Sequence, residues 1–217
     1  MVNYNPNFNF RAVINNPLAP IAVPCMDQIC GWVDINGNYN SIRKWKTKFD
    51  VEYLTNGKAV CRGKTIKSPI AIILESPHVN EFYPNGTARG PAQGKTGNRF
   101  DKCFEELLQG SSVSHIIGTT AHAIVFVNSV QYQCSLGKPL FIGQNRQDCN
   151  KNWRLCFNAG CNLDLVDRLN ALNPIAVINL CTAALKIEVE QTVCHFNNYT
   201  SGNHPASWQW LKHRKIL

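Results

Sequence analysis

The sequence has no apolar run approaching the roughly 20 residues that a membrane-spanning helix needs. Its first residues, Met1-Val2-Asn3-Tyr4-Asn5-Pro6, lack the basic-then-apolar order of a secretory signal. These two absences lead us to expect a cytoplasmic chain with no membrane partner. It also lacks an internal repeat and a long linker, so at 217 residues one domain is expected, large enough to bury a full core. Acidic residues are in short supply, 14 Asp+Glu against 22 Lys+Arg, for a net charge of +8. That balance favours a polyanionic partner such as nucleic acid. It argues against chemistry on free nucleosides, which offer no phosphate track. A basic but uninvolved surface is the other reading. Cysteine is plentiful, with ten in the chain. Without a secretion signal disulfides are not expected, which leaves free buried thiols or a metal site.

The chain is organised around residues 70–108. An apolar run, Ile70-Ala71-Ile72-Ile73-Leu74, is bounded by Pro69 and Pro77 and reads as a buried strand of a parallel sheet. It breaks into Glu75-Ser76-Pro77-His78-Val79-Asn80-Glu81, then a loop holding Gly86, Gly90, Gly94 and Gly97, then a helical pattern through Leu108. Ligands of open α/β sheets bind beyond the carboxyl ends of such strands, and this end carries two carboxylates and an imidazole.

Residues 1–24, rich in Asn and Pro, suggest an irregular arm. Residues 30–66 alternate apolar and polar, with turns at Asn36-Gly37 and Asn56-Gly57, and suggest a small β extension beside the main sheet. Residues 1–66 are thus an arm plus extension, and 67–217 the catalytic unit. Further strands are expected at 122–128, 174–180 and 192–196. Helices are expected at 148–172, with Leu163, Val166, Leu169 and Leu172 on one face, at 182–190 and at 207–214. Alternating strands and helices imply a three-layer α/β sandwich around a four-stranded parallel sheet. Basic clusters at Arg43-Lys44-Trp45-Lys46-Thr47-Lys48, at 62–67 and at 212–215 suit phosphate contact or a plain solvated surface. In the first, an aromatic lies among cations.

Four motifs in register resemble the uracil-DNA glycosylase superfamily, nearest its iron–sulfur branch, often called family four. Leu74-Glu75-Ser76-Pro77-His78 followed by Glu81 stands for that branch's Gly-Glu-Ala-Pro-Gly followed by Glu. Pro91-Ala92-Gln93-Gly94-Lys95-Thr96-Gly97 stands for its Pro-Phe-Val-Gly-x-x-Gly loop. Asn128 matches the Asn that ends its second strand, and His204-Pro205-Ala206 its His-Pro-Ala. The likeness spans about 70–207.

The resemblance implies a glycosylase that flips a nucleotide out of double-stranded DNA and cuts the bond between base and sugar. Glu75 would stabilise the oxocarbenium-like transition state or activate water, with Glu81 in support. Asn128 would read a base edge, and His204 would donate to the departing base. Ser76, Pro77, His78, Ala92 and Gly94 would line the base pocket, and Lys44, Lys46, Lys95 and Ser207 would hold DNA.

The chain departs from the pattern in four places. Leu74 replaces the first motif glycine. Ser76 stands where other branches carry a catalytic Asp or Asn. His78 replaces a glycine, and Ala92 stands where an aromatic would stack on uracil. The lost ring favours a bulkier base, such as a glucosylated hydroxymethylcytosine of phage DNA, with DNA repair and antiviral defence both open as the pathway. The expected protein is a monomeric, monofunctional DNA glycosylase. A uracil excision enzyme of base-excision repair and a catalytically degenerate DNA-binding module are the alternatives. The branch holds its cluster with two cysteines before the first motif and two after the second strand, an order met here by Cys25, Cys30, Cys134 and Cys149 (or Cys156). The wide Cys25–Cys30 spacing departs from the usual Cys-x-x-Cys, so buried free thiols and no metal or cofactor are expected.

Overall fold

A computed structural model of the chain describes residues 23–44, 47–116, 120–135 and 145–210. Among them the chain forms nine strands: β1 (Gln28–Val33), β2 (Tyr39–Ser41), β3 (Glu52–Tyr53), β4 (Ala59–Cys61), β5 (Lys64–Thr65), β6 (Ile70–Leu74), β7 (His122–Asn128), β8 (Ala176–Asn179) and β9 (Tyr199–Ser201). It also forms four α-helices: α1 (Lys95–Gln109), α2 (Arg146–Cys156), α3 (Asn162–Leu172) and α4 (Lys186–Val193).

The run after Pro69 is the centre of the molecule. All five residues of β6 are buried. It pairs in parallel with β7, Ile70 opposite Ile124 through Leu74 opposite Asn128, and with β8 on its other side. β9 extends the parallel set beyond β8. β1 joins β7 antiparallel and β2 joins β1, giving the order β2-β1-β7-β6-β8-β9. The central sheet therefore has six strands, not the expected four. The expected β extension supplies the two antiparallel strands at one edge. Its later part folds into a separate three-stranded sheet, β3-β4-β5.

Side chains of successive strand residues point to opposite faces, and both faces are covered here. Ile70, Ile72, Leu74, Ile124 and Phe126 pack against Phe100, Phe104, Leu107 and Leu108 of α1. Ala71, Ile73, Val125 and Val127 pack with Trp153, Leu165, Leu169 and Val189 from the helices on the other side. Burying each such Val, Leu, Ile or Phe is worth about 1.5–3 kcal/mol, so these two layers fix the sheet between them. Tyr53 and Val51 belong to the second layer, so the N-terminal extension shares the main core.

Three sequence expectations are corrected. The fourth parallel strand is not 192–196. Thr192 and Val193 end α4, whose Val189 and Val193 are buried one helical turn apart, and the strand comes later at β9. The expected helix over 148–172 is two helices joined by a π-helical turn at Phe157–Cys161, where Gly160 takes φ 127°, a conformation that L side chains rarely adopt. The turn rotates the buried face, so Leu165, Arg168, Leu169 and Leu172 point inward while Leu163 is 66% exposed. A 3₁₀ helix at Pro205–Trp210 occupies the start of the last expected helix. Most of the expected N-terminal arm, residues 1–22, lies outside the described residues.

No helix among the described residues is long and apolar enough to cross a membrane.

Candidate functional site

The four parallel strands deliver their carboxyl ends to one edge. A cavity of about 460 Å³ opens there. Glu75 and Ser76 follow β6, Thr182 follows β8, and His204 follows β9; all four line it. His78, Asn80 and Glu81 line it from the loop after β6, and Gly94, Lys95 and Thr96 from the start of α1. Gly97 allows that loop to close on the helix, because a Cβ there would lie 2.0 Å from the Ala92 carbonyl oxygen.

Glu75 is held by its backbone. Its carbonyl accepts from Ser129 Oγ (2.6 Å), Trp153 Nε1 (2.8 Å) and Val130 N (3.1 Å). The carboxylate faces Arg146 Nη1 at 3.6 Å, and Ser135 Oγ donates to its Oε1 at 3.4 Å. Its Oε2 is buried and makes no hydrogen bond among the described residues. A buried acceptor without a donor is costly, by about 1–3 kcal/mol, unless something bound supplies one. Ser135 Oγ also lies 2.8 Å from Ser76 Oγ and 3.1 Å from the Ser76 carbonyl oxygen, so its single proton is shared among these acceptors.

His204 stands on the same cavity. Ser207 donates to its carbonyl from both N (2.9 Å) and Oγ (2.7 Å), and Arg99 of α1 donates to the carbonyl of Ala206. The His204 Nδ1 accepts from Ala206 N at 3.2 Å, which places the proton of the neutral ring on Nε2. Burial pushes its pKa below the ordinary histidine value, against the pull of Glu75. The ring is therefore a neutral donor. His78 is similar: its Nδ1 accepts from Asn80 N at 3.2 Å, capping the 3₁₀ turn Val79–Glu81, and burial lowers its pKa.

Glu81 is the second carboxyl. Burial pushes it up to about 8, against backbone hydrogen bonding near Ala92 and His78 and the charge of Arg43. The unfolded chain releases this proton near the ordinary 4.5, so between about pH 4.5 and 8 only the folded state holds it. The contribution to stability is full below that window and is lost as pH rises through it. Glu81→Gln cannot titrate. The wild-type melting temperature minus that of Glu81→Gln is therefore expected to fall steadily from about pH 5 to about pH 9. A difference independent of pH would show that Glu81 titrates normally.

Asn128 ends β7 but does not line the cavity. It lies deeper, 1% exposed, near enough to Glu81 for its amide to favour the ionised carboxyl, and neither Nδ2 nor Oδ1 has a hydrogen-bond partner among the described residues. Pro77 is buried beside the cavity without lining it.

Ala92 is a correction. It is fully buried at φ 55° and packs in the core layer of α1, so it does not stand where a base would stack. Ser207 turns inward to brace His204. Lys95 is exposed at the rim, while Lys44 is exposed on a separate cleft. Lys46 lies outside the described residues.

Arg146, Ser135 and Thr182 were not foreseen. Arg146 opens α2, whose Asn145 cap accepts from Asp148 N at 3.0 Å. An Asn-x-x-Asp helix start was visible in the sequence, but nothing there pointed it at Glu75.

All ten cysteines are free thiols. The candidate ligand set is divided between the faces of the sheet. Cys30 lies in the α1 layer and donates to the Ile124 carbonyl, whereas Cys134 lies in the opposite layer, 3.9 Å from the sulfur of Cys156. Among the described residues no group of three or more His, Cys, Asp or Glu is placed to hold a metal ion.

No protein-family model matches the chain, and no curated protein matches it.

Proposed function

We propose that the chain is a monofunctional DNA glycosylase of the uracil-DNA glycosylase kind, excising a non-standard base from double-stranded DNA. The observation that carries this is the pairing, in one cavity at the carboxyl edge of a parallel sheet, of the Glu75 carboxyl, which faces Arg146, with a neutral, Nε2-protonated His204. Cleaving the bond between base and sugar builds positive charge on the sugar and negative charge on the leaving base. Glu75 Oε2, buried without a donor among the described residues, suits stabilisation of the first or orientation of the attacking water. His204 Nε2–H suits the second, since a neutral imidazole donates a hydrogen bond without needing to be charged.

The two carboxyls are set apart by environment: Glu75 faces a guanidinium, and Glu81 is driven towards its neutral form by burial. A protonated Glu81 on the cavity wall, with Asn128 behind it, offers a donor and an acceptor for a base edge. The cavity lies within the range of about 300–1,000 Å³ typical of small-ligand sites, room enough for a modified base.

The test is incubation with a panel of DNAs carrying uracil, damaged bases and modified cytosines, the latter glucosylated or not, with mass detection of free base. Release of one class, leaving an abasic site, is the expected result. DNA binding with no release from any member would instead favour the degenerate binding module, and release of uracil ahead of every bulky base would reverse the size preference.

A further inference from the structure

A second cleft, about 420 Å³, lies across the loop that walls the first. Residues 78–96 give His78, Glu81 and Lys95 to the cavity described above. The same stretch gives Tyr83, Arg89 and Gln93 to the second cleft. The opposite wall carries Arg43, Lys44 and Lys48, and no Asp or Glu is among the described residues that line the space.

The charge of Arg43 is taken up by Asp101, 2.9 Å away. Lys44, Lys48 and Arg89 are exposed. Tyr83 is 45% exposed and has two of them over its ring, Lys48 Nζ 5.6 Å and Arg89 Cζ 5.3 Å from the ring centre. Lys48 donates to the Ala88 carbonyl and Arg89 to the Asn80 carbonyl at 3.5 Å, which orders both on the loop. An ammonium has three donors and a guanidinium five, so each keeps donors for a ligand. A part-exposed ring flanked by cations, with no carboxylate among the described residues that line the cleft, supplies the two groups that a nucleic-acid strand uses: charge for phosphate, and an aromatic ring for a base.

We propose that this cleft binds the phosphodiester backbone of the DNA strand flanking the everted nucleotide, with a neighbouring base stacked on Tyr83. The proposal rests on the DNA reading of the first cavity. It assigns DNA contact to Lys48, Arg89 and Tyr83 as well as to Lys44.

The experiment is fluorescence anisotropy with unmodified DNA, duplex and single-stranded, over a series of salt concentrations. Lys48→Ala/Arg89→Ala is expected to weaken binding about 10- to 100-fold at low salt and to flatten the slope of log K against log salt by about 2. Lys44→Glu, a change at an exposed position, should act in the same direction and guards against a folding defect in the double variant. Tyr83→Ala should weaken single-strand binding about tenfold without changing the slope, and Tyr83→Phe should restore it. Unchanged affinity and slope in both charge variants, or no DNA binding by the wild type, would overturn the proposal. Base release by a protein whose charge variants bind normally would sink the cleft and leave the catalytic reading standing. Salt-dependent binding lost in those variants, with no base released from any DNA, would do the reverse.

Discussion

Glu75→Gln is expected to lower base release by about 10²- to 10³-fold while DNA affinity stays near wild type. Gln keeps the volume of Glu and can still accept from Ser135, so the cavity holds its shape. What disappears is the negative charge facing Arg146 and the reacting sugar. Removing one preorganised electrostatic contact of this kind typically costs about 2.7–4 kcal/mol of transition-state stabilisation. Because the contact matters only as charge develops, the loss should fall on kcat and spare KM. His204→Ala should cost about 10²-fold through loss of the leaving-group donor, again in kcat. Its depressed pKa adds a pH signature: wild-type turnover should fall through His204 protonation only below the ordinary histidine range. Turnover close to wild type in Glu75→Gln, measured by single-turnover release on the preferred DNA, would remove Glu75 from its role.

The parts of the fold that showed in the sequence are those where local pattern and burial agree. Residues 70–74 and 122–128 are short apolar runs buried on both faces, and both are strands over those bounds. Thr192 and Val193 misled because β-branched residues favour strands only weakly, and the packing of Val189 and Val193 on one helical face outweighs that preference. The inward face of α3 was missed for a different reason. One of its four buried residues is Arg168, which no count of apolar spacing selects. The site was legible where single strand ends carry the chemistry, at Glu75, Ser76 and His204. It was not legible where partners meet across the fold. Arg146 lies 71 positions beyond Glu75, and Trp153 reaches the Glu75 carbonyl from the same distant helix. Ala92 was misplaced because motif order fixes a position along the chain but not the side of the loop on which its side chain lies.

Arg168→Met should cost the fold about 3–5 kcal/mol, with no change in the charge of the cavity wall. Arg168 is 5% exposed, and its guanidinium holds three elements together. Nη1 meets Asp27 at 2.7 Å, Nε meets Asp164 at 2.8 Å, and Nη2 donates to the Asn128 carbonyl at 3.0 Å. Asp27 is fully buried, and it also accepts from Tyr53 Oη (2.6 Å) and Gln131 Nε2 (3.2 Å). Met fills the stem of the arginine but leaves Asp27 as a buried anion with neutral donors alone. Uncompensated buried charge, more than the loss of attraction, accounts for the large cost. The double variant Asp27→Asn/Arg168→Met should therefore be more stable than Arg168→Met, because neutralising Asp27 removes the penalty. Urea unfolding of the wild type, both single variants and the double variant measures this directly. The bond to the Asn128 carbonyl ties the network to the end of β7, so base release should fall in Arg168→Met even at temperatures where the variant stays folded. A loss under about 1 kcal/mol in Arg168→Met, or a double variant no more stable than the single, would show that Asp27 finds other compensation in the folded protein.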